Sequence, residues 1–281
     1  MANQKITRRK ILTRYVPAIM LSSQVNPSWN SLLKCTEEGF TSIFDGKSLD
    51  GWHTNVQEIN HGTGGHWQVE NGILTGEQDP PGSGNGGVLM TDKKYADFEL
   101  LVDLAPDWGV DSGVFLRTNK RGECFQVYVD YHDKGHVGYI STERDGKPRM
   151  FIRPFYINGV MDDDGNLVGF ETQRDERELA WGDNFLLYHC SPEQWKNAWK
   201  IGTWNTMRIR CEGKYPKITT WINNTMIAKF DSATSAHPRN DKDELFEALG
   251  REGSIGLQVH GGKGWKKGGK CRWKNIRVKE L

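Results

Sequence analysis

From Gly39 onward, apolar residues come in short alternating runs that Gly, Asn and Asp interrupt every few positions. Period-two alternation turns one face of each run toward a core and the other away from it, the pattern of antiparallel strands in a sandwich or barrel. The clearest runs are Phe98 to Leu104, Gly113 to Thr118, Phe125 to Tyr131, Thr206 to Cys211, Lys217 to Ile222, Ile255 to His260 and Cys271 to Val278. Helical signals are scarce. The best is Asp241 to Leu249, with Asn240 or Asp241 as N-cap and Gly250 as its stop, and Pro192 to Trp199 is a shorter second. Asn223-Asn224, which tolerates positive φ, lies between Lys217 to Ile222 and Met226 to Phe230 and predicts a tight hairpin. No internal repeat or low-complexity linker follows residue 39, so residues 39–281 read as one domain.

Composition narrows the function classes. Against 36 acidic residues stand 37 basic ones, a formal net charge of +1 that points away from nucleic acid as a partner. The 32 glycines, above a background of about 7%, suit the many turns, and 11 tryptophans supply aromatic surface. Cys35, Cys124, Cys190, Cys211 and Cys271 lack the close spacing of a structural zinc site and read as buried thiols, with one disulfide as the alternative. At the N-terminus, Thr7-Arg8-Arg9-Lys10-Ile11-Leu12 precedes a short apolar stretch, as in a twin-arginine export signal. Residues 1–38 are therefore expected to be an export signal and linker, and the protein to be periplasmic or secreted. No other segment approaches the roughly 20 apolar residues of a membrane span.

Residues 145 to 200 differ in texture. They carry Asp162-Asp163-Asp164-Gly165-Asn166 and the aromatics Phe151, Phe155, Tyr156, Phe170, Trp181, Phe185, Tyr188, Trp195 and Trp199. An insertion of this kind is expected to wall a pocket, with Trp181, Trp195 and Trp199 setting specificity. Asp162, Asp164, Gly165 and Glu171 mimic a calcium loop, but Val160 would stand at its first position, so Asp164-Gly165 reads instead as a hairpin turn. Lys263 to Lys270, interleaved with glycine and Trp265, reads as a solvated loop at the cleft rim.

GFTSIFDGKSLDGW (Gly39 to Trp52) and WQVENGILTG (Trp67 to Gly76) open a series of segments that resembles the 3-keto-disaccharide hydrolase domain family. The series continues with TDKKYADFELLVDL (Thr91 to Leu104), DSGVFLR (Asp111 to Arg117), TWNTMRIRCEG (Thr203 to Gly213), IGLQVHG (Ile255 to Gly261) and WKNIRVKEL (Trp273 to Leu281). The resemblance implies an all-β concanavalin A-like jelly roll, two antiparallel sheets with a concave face. It also implies cleavage of glycosides already oxidised at sugar C3. The C3 ketone acidifies the C2 hydrogen, a base removes it, the enolate expels the glycosidic oxygen from C1, and water adds back. Such chemistry needs a base and a group to hold the enolate oxygen, a role that one divalent metal ion of unassigned identity would fill.

The matching segments supply the candidates. Gln258 and His260 share one face of a strand, and the imidazole could act as base or ligand. Arg117 can offer a fork of donors to sugar or enolate oxygens, with Asp111, where the family usually has Asn, beside it. The next strand usually reads Tyr-Glu-Val-Gln in the family; here Gln126 replaces the glutamate and Tyr128 the glutamine. Beyond it, an Asp-Lys-Gly loop would face His132 toward His136, offering a metal site with Asp130 or Asp133. The catalytic set expected is thus His260, Arg117 and Gln126, the saccharide-binding set Asp111, Gln258, Tyr128 and Trp181, and the metal set His132 and Asp130. Glu143-Arg144-Asp145-Gly146-Lys147-Pro148 lacks the second glutamate of a laminarinase-type retaining site, which leaves ordinary double displacement unsupported. The alternative function is a non-catalytic carbohydrate-binding jelly roll, which Gln126 favours.

Overall fold

The computed structural model describes residues 39–176 and 185–281. Its strands, numbered along the chain, form two antiparallel sheets packed face to face. The nine-stranded sheet runs β13 (Tyr188–His189), β16 (Thr225–Asp231), β15 (Lys217–Ile222), β14 (Asn205–Glu212), β6 (Phe98–Pro106), β18 (Cys271–Glu280), β4 (Ile73–Glu77) and β3 (His66–Glu70), with β1 (Thr41–Ser42) also on β18. The seven-stranded sheet runs β10 (Phe151–Ile152), β9 (Val137–Glu143), β8 (Cys124–Val129), β7 (Ser112–Thr118), β17 (Ser254–Val259), β5 (Gly87–Thr91) and β2 (Trp52–Thr54). A separate ribbon pairs β11 (Phe155–Met161) with β12 (Leu167–Arg174). Sequence neighbours such as β14, β15 and β16 form hairpins, while β17 and β18 return to the middle of opposite sheets, giving the expected jelly roll.

The two sheets treat their outer faces differently, and that difference locates the site. Along β14 the alternation is complete: Met207, Ile209 and Cys211 enter the core, while Arg208 and Arg210 lie outside and pair with Glu99 of β6. Every residue of β7, β8, β17 and β5 is buried, so both faces of the seven-stranded sheet are covered. Val114, Leu116, Val127 and Leu257 face the central core, whereas Val88, Met90, Phe115 and Cys124 form a second small cluster on the outer face with Ile59 packed against it. The segments around residues 58–61 and 144–149 border that outer face and leave a cleft along it.

Local chemistry accounts for the connections. Asn223 and Asn224 both take positive φ, 46° and 69°, in the β15–β16 hairpin. The helix Lys242–Leu249 starts where Asp241 accepts from the Asp243 and Glu244 amides and ends at Gly250, whose N–H reaches Phe246 O. Ser191 and Gln194 close a capping box on the helix Pro192–Ala198. Asp162 and Gly165 form the turn between β11 and β12, as the sequence suggests. Cys124, Cys190, Cys211 and Cys271 are free and buried; Cys35 lies outside the described residues.

Candidate functional site

The floor of the cleft is set by register. Gly113 lies opposite Tyr128 on one side and Gln258 on the other, and Phe115 opposite Gln126 and Gly256. Period two therefore brings Gln126 and Gln258 to the same face, on either side of β7. Gln126 Nε2 donates to Gln258 Oε1 at 2.9 Å, bridging over Gly113, and Gln126 Oε1 accepts from Ser141 Oγ at 3.3 Å. Only glycine permits this crossing, because a Cβ at residue 113 would sit 2.3 Å from Gln126 Nε2.

At the end of the floor, Asp111 precedes β7 and Asp130 and His132 follow β8. One ligand atom from each lies within 4.8 Å of the others, with His132 Nε2 3.7 Å from Asp111 Oδ2. Asp130 is 7% exposed, and its Oδ1 has no hydrogen-bond partner. Burial, then the neighbouring Asp111 charge, pushes the Asp130 carboxyl well up. Burial opposes ionisation of Asp111 too, but His132 and His260 hold its carboxyl below the usual range. His132, despite its burial, is raised by Asp111. Two carboxylates and an imidazole around an unsatisfied buried oxygen form a donor set that suits a divalent cation.

His260 continues the face of β17 beyond Gln258. Its Nδ1 donates to Gly261 O, so Nε2 is the basic nitrogen, and its backbone N–H donates to Asp111 O at 3.2 Å. The Gly261 N–H donates to His61 Nε2 at 2.9 Å, and the His61 and His260 rings meet edge to face at 5.1 Å. Burial, then the charges of His260 and Arg149, lowers His61 to about 4, which keeps it neutral and able to accept that bond. Gln78, 1% exposed, donates to His260 O and Gly262 O at 3.0 and 2.9 Å and pins the same loop.

A cavity of about 290 Å³ adjoins this corner, bounded by Val88, Phe115, Gln258, His61, Glu143 and Arg149 among others. Glu143, opposite Cys124 on β9, shares the outer face with Ser141. Arg149 Nε holds Glu143 at 2.9 Å through Oε2, while Oε1 is buried without a partner. Burial, opposed by Arg149 and reinforced by Asp111, pushes the Glu143 carboxyl up to about 7.

Residues 39–279 match the 3-keto-α-glucoside-1,2-lyase-like domain. The chain belongs to this family. It is 24% identical over 298 residues to a 3-keto-disaccharide hydrolase of Bacteroides thetaiotaomicron, covering 92% of this chain and 88% of that protein. Among solved structures, a protein described as a glycosyl hydrolase from Parabacteroides distasonis shares 19% identity at a TM-score of 0.49, over 86% of this chain and 99% of that one. The carbohydrate-binding module CBM66 of Bacillus subtilis shares 11% at a TM-score of 0.45, over 82% and 96%.

Within this lyase-like domain, five of the expected residues converge on the concave face: Asp111, Gln126, Asp130, Gln258 and His260, with His132 beside them. Arg117 does not. A bulge between β7 and β17 gives Arg117 φ +50° and turns its side chain away from the cleft; it is 0% exposed and donates to Ala96 O, Gly213 O and Asp97. Its donors are thus committed to structure rather than to an enolate. Tyr128 faces the cleft but is buried under His136, ring centroids 4.1 Å apart, and stacks parallel to Phe151. His136 does not face His132: the register pairs Asp130 with His136, whose side chain turns to Arg153 and is pushed well down by burial. Trp181 lies outside the described residues. Trp195 and Trp199 stack on each other in the core instead of walling a pocket, Trp195 Nε1 donating to Val137 O. Glu143, His61, Arg149 and Gln78 are site residues that sequence reading did not select.

Proposed function

We propose that this chain cleaves 3-keto glycosides, 3-keto-disaccharides among them, by C2 deprotonation, elimination and hydration. Membership of the 3-keto-α-glucoside-1,2-lyase-like family and the likeness to a 3-keto-disaccharide hydrolase support a glycoside-acting enzyme. The observation that carries the mechanism is His260 beside the Asp111, Asp130 and His132 cluster on one concave face. Asp111, Asp130 and His132 would hold a divalent cation, which supplies positive charge for the oxygens of an enolate. His260 Nε2 takes the C2 hydrogen, while Nδ1–H on Gly261 O fixes its tautomer. As the C1–O bond breaks, the departing oxygen gains a proton from solvent. The protonated His260 exchanges with solvent, water then adds at C1 and loses its second proton to solvent, and C2 takes a proton from His260, which returns the enzyme to its starting state. Gln126 and Gln258 hydrogen-bond sugar hydroxyls.

The neutral Gln126–Gln258 pair favours one alternative, a jelly roll that binds saccharide without cleaving it. Incubation with a 3-keto-disaccharide and its unoxidised parent, with and without chelator, separates the two. Release of free sugar from the oxidised compound alone, lost with chelator, is the expected result; binding without cleavage of either supports the alternative. For its place of action we propose the periplasm or exterior, from the twin-arginine-like Arg8-Arg9 segment, which lies outside the described residues. No helix among the described residues is long and apolar enough to cross a membrane.

A further inference from the structure

We propose that the cavity between Phe115 and the Glu143–Arg149 pair is the subsite for the departing sugar unit, and that Glu143 sets specificity for it. This rests on the reading of the cleft as a 3-keto glycoside site and adds the part of the substrate recognised beside the reacting centre.

The cavity is lined by two unlike kinds of group, apolar and charged, as a pyranose presents both C–H surface and hydroxyls. Val88 and Phe115, backed by Met90 and Cys124, present an apolar floor, and Ile59 packs against the same cluster. The C–H face of a sugar ring fits such a floor. Glu143, on the same outer face beside Cys124, and Arg149, from the segment after β9, line the cavity as well, the carboxylate keeping one oxygen buried without a protein partner. The exposed edge of the Glu143 carboxyl and the Arg149 guanidinium offer an acceptor and donors to the hydroxyls of a sugar in the cavity. Because Arg149 already holds the other oxygen, the carboxyl is fixed in orientation before a ligand arrives.

Size and position agree with one sugar. A volume of about 290 Å³ lies at the small end of ligand pockets and accommodates a monosaccharide unit. Gln258 and His61 belong to its wall, and they adjoin His260, one along β17 and the other by edge-to-face ring contact. A sugar here is therefore next to one whose C2 faces His260. Burial and the Asp111 charge raise the Glu143 carboxyl to about 7, so near neutrality it can both donate to and accept from hydroxyls.

The test compares two substrates and one ligand. Wild type is expected to cleave a 3-keto-disaccharide with higher kcat/KM than the methyl 3-keto-glucoside, and Glu143→Gln to lose about ten-fold or more on the disaccharide, mostly in KM, with under about two-fold change on the methyl compound. Glucose, titrated by saturation-transfer NMR, is expected to bind wild type and His260→Ala but not Glu143→Gln. If Glu143→Gln folds poorly, Arg149→Met on the more exposed side serves instead, with the same expected pattern. Equal losses on both substrates, or glucose bound equally by wild type and both variants, would overturn the subsite. Failure of wild type to cleave either substrate, with glucose binding still dependent on Glu143, would overturn the function proposed above while leaving a monosaccharide site.

Discussion

Arg117 and Gln126 show how one residue's role depends on backbone detail as well as on its place in a motif. Both stand on neighbouring strands of the same sheet, yet Gln126 keeps to the concave face while a single bulge turns Arg117 into a structural anchor for Ala96, Asp97 and Gly213. Arg117→Met is therefore expected to lower stability by about 1 kcal/mol in urea unfolding, because Ala96 O loses its donor while Asp97 and Gly213 keep Arg251, and kcat/KM per folded molecule stays unchanged. Asp111, Gln126 and His260 were legible through the family-like segments that carry them, and period-two alternation puts Gln258 on the His260 face. Glu143 was not: it joins the site through pairing with Cys124, a contact across strands that one sequence does not display. His61 and Gln78 are likewise distant in sequence from the Gly261 loop they fix.

At the scale of elements, Gly113 ties β7 to the chemistry. A Cβ there would press on Gln126 Nε2, Cγ and Cδ at 2.3, 2.9 and 3.0 Å, so Gly113→Ala must displace the glutamine from Gln258. The expected cost is about 1 to 3 kcal/mol of stability together with weaker saccharide binding, measured by urea unfolding and by titration with the 3-keto compound. Unchanged binding would show that the amide bridge is dispensable. Strands and turns were largely readable, down to the Asn223-Asn224 hairpin and the Asp241 cap, since alternation, turn residues and caps are local signals. The segment 145–200 was read less well. Its aromatic content suggested a pocket wall, but the capped helix Pro192–Ala198 turns Trp195 inward and β13 joins an edge of the nine-stranded sheet. Composition distinguishes an aromatic core from an aromatic wall poorly, because both use the same residues.

Across the whole molecule, buried titratable groups make stability depend on pH in two opposite senses. His237, 3% exposed, is lowered to about 4 by burial and then by Arg239. The unfolded chain takes up that proton near 6.5 and the folded protein resists it, so stability is lost as pH falls from about 6.5 to 4, by up to about 3 kcal/mol. His61 acts in the same direction. Glu143 does the reverse: with its carboxyl raised from 4.5 to about 7, stability is lost as pH rises through that window. His237→Gln is expected to flatten the acid limb in urea titrations at successive pH values, and Glu143→Gln the neutral one. A limb unchanged by its variant would place the titration elsewhere.

Elimination and hydration, unlike direct displacement at C1, require the C2–H bond to break and re-form. The most direct test is to cleave a 3-keto-disaccharide in D2O under conditions where the free 3-keto sugar does not itself exchange, and to read the released 3-keto sugar by NMR. One deuterium at C2, absent from the His260→Ala reaction, is the result expected; cleavage with the C2 hydrogen fully retained would contradict the mechanism.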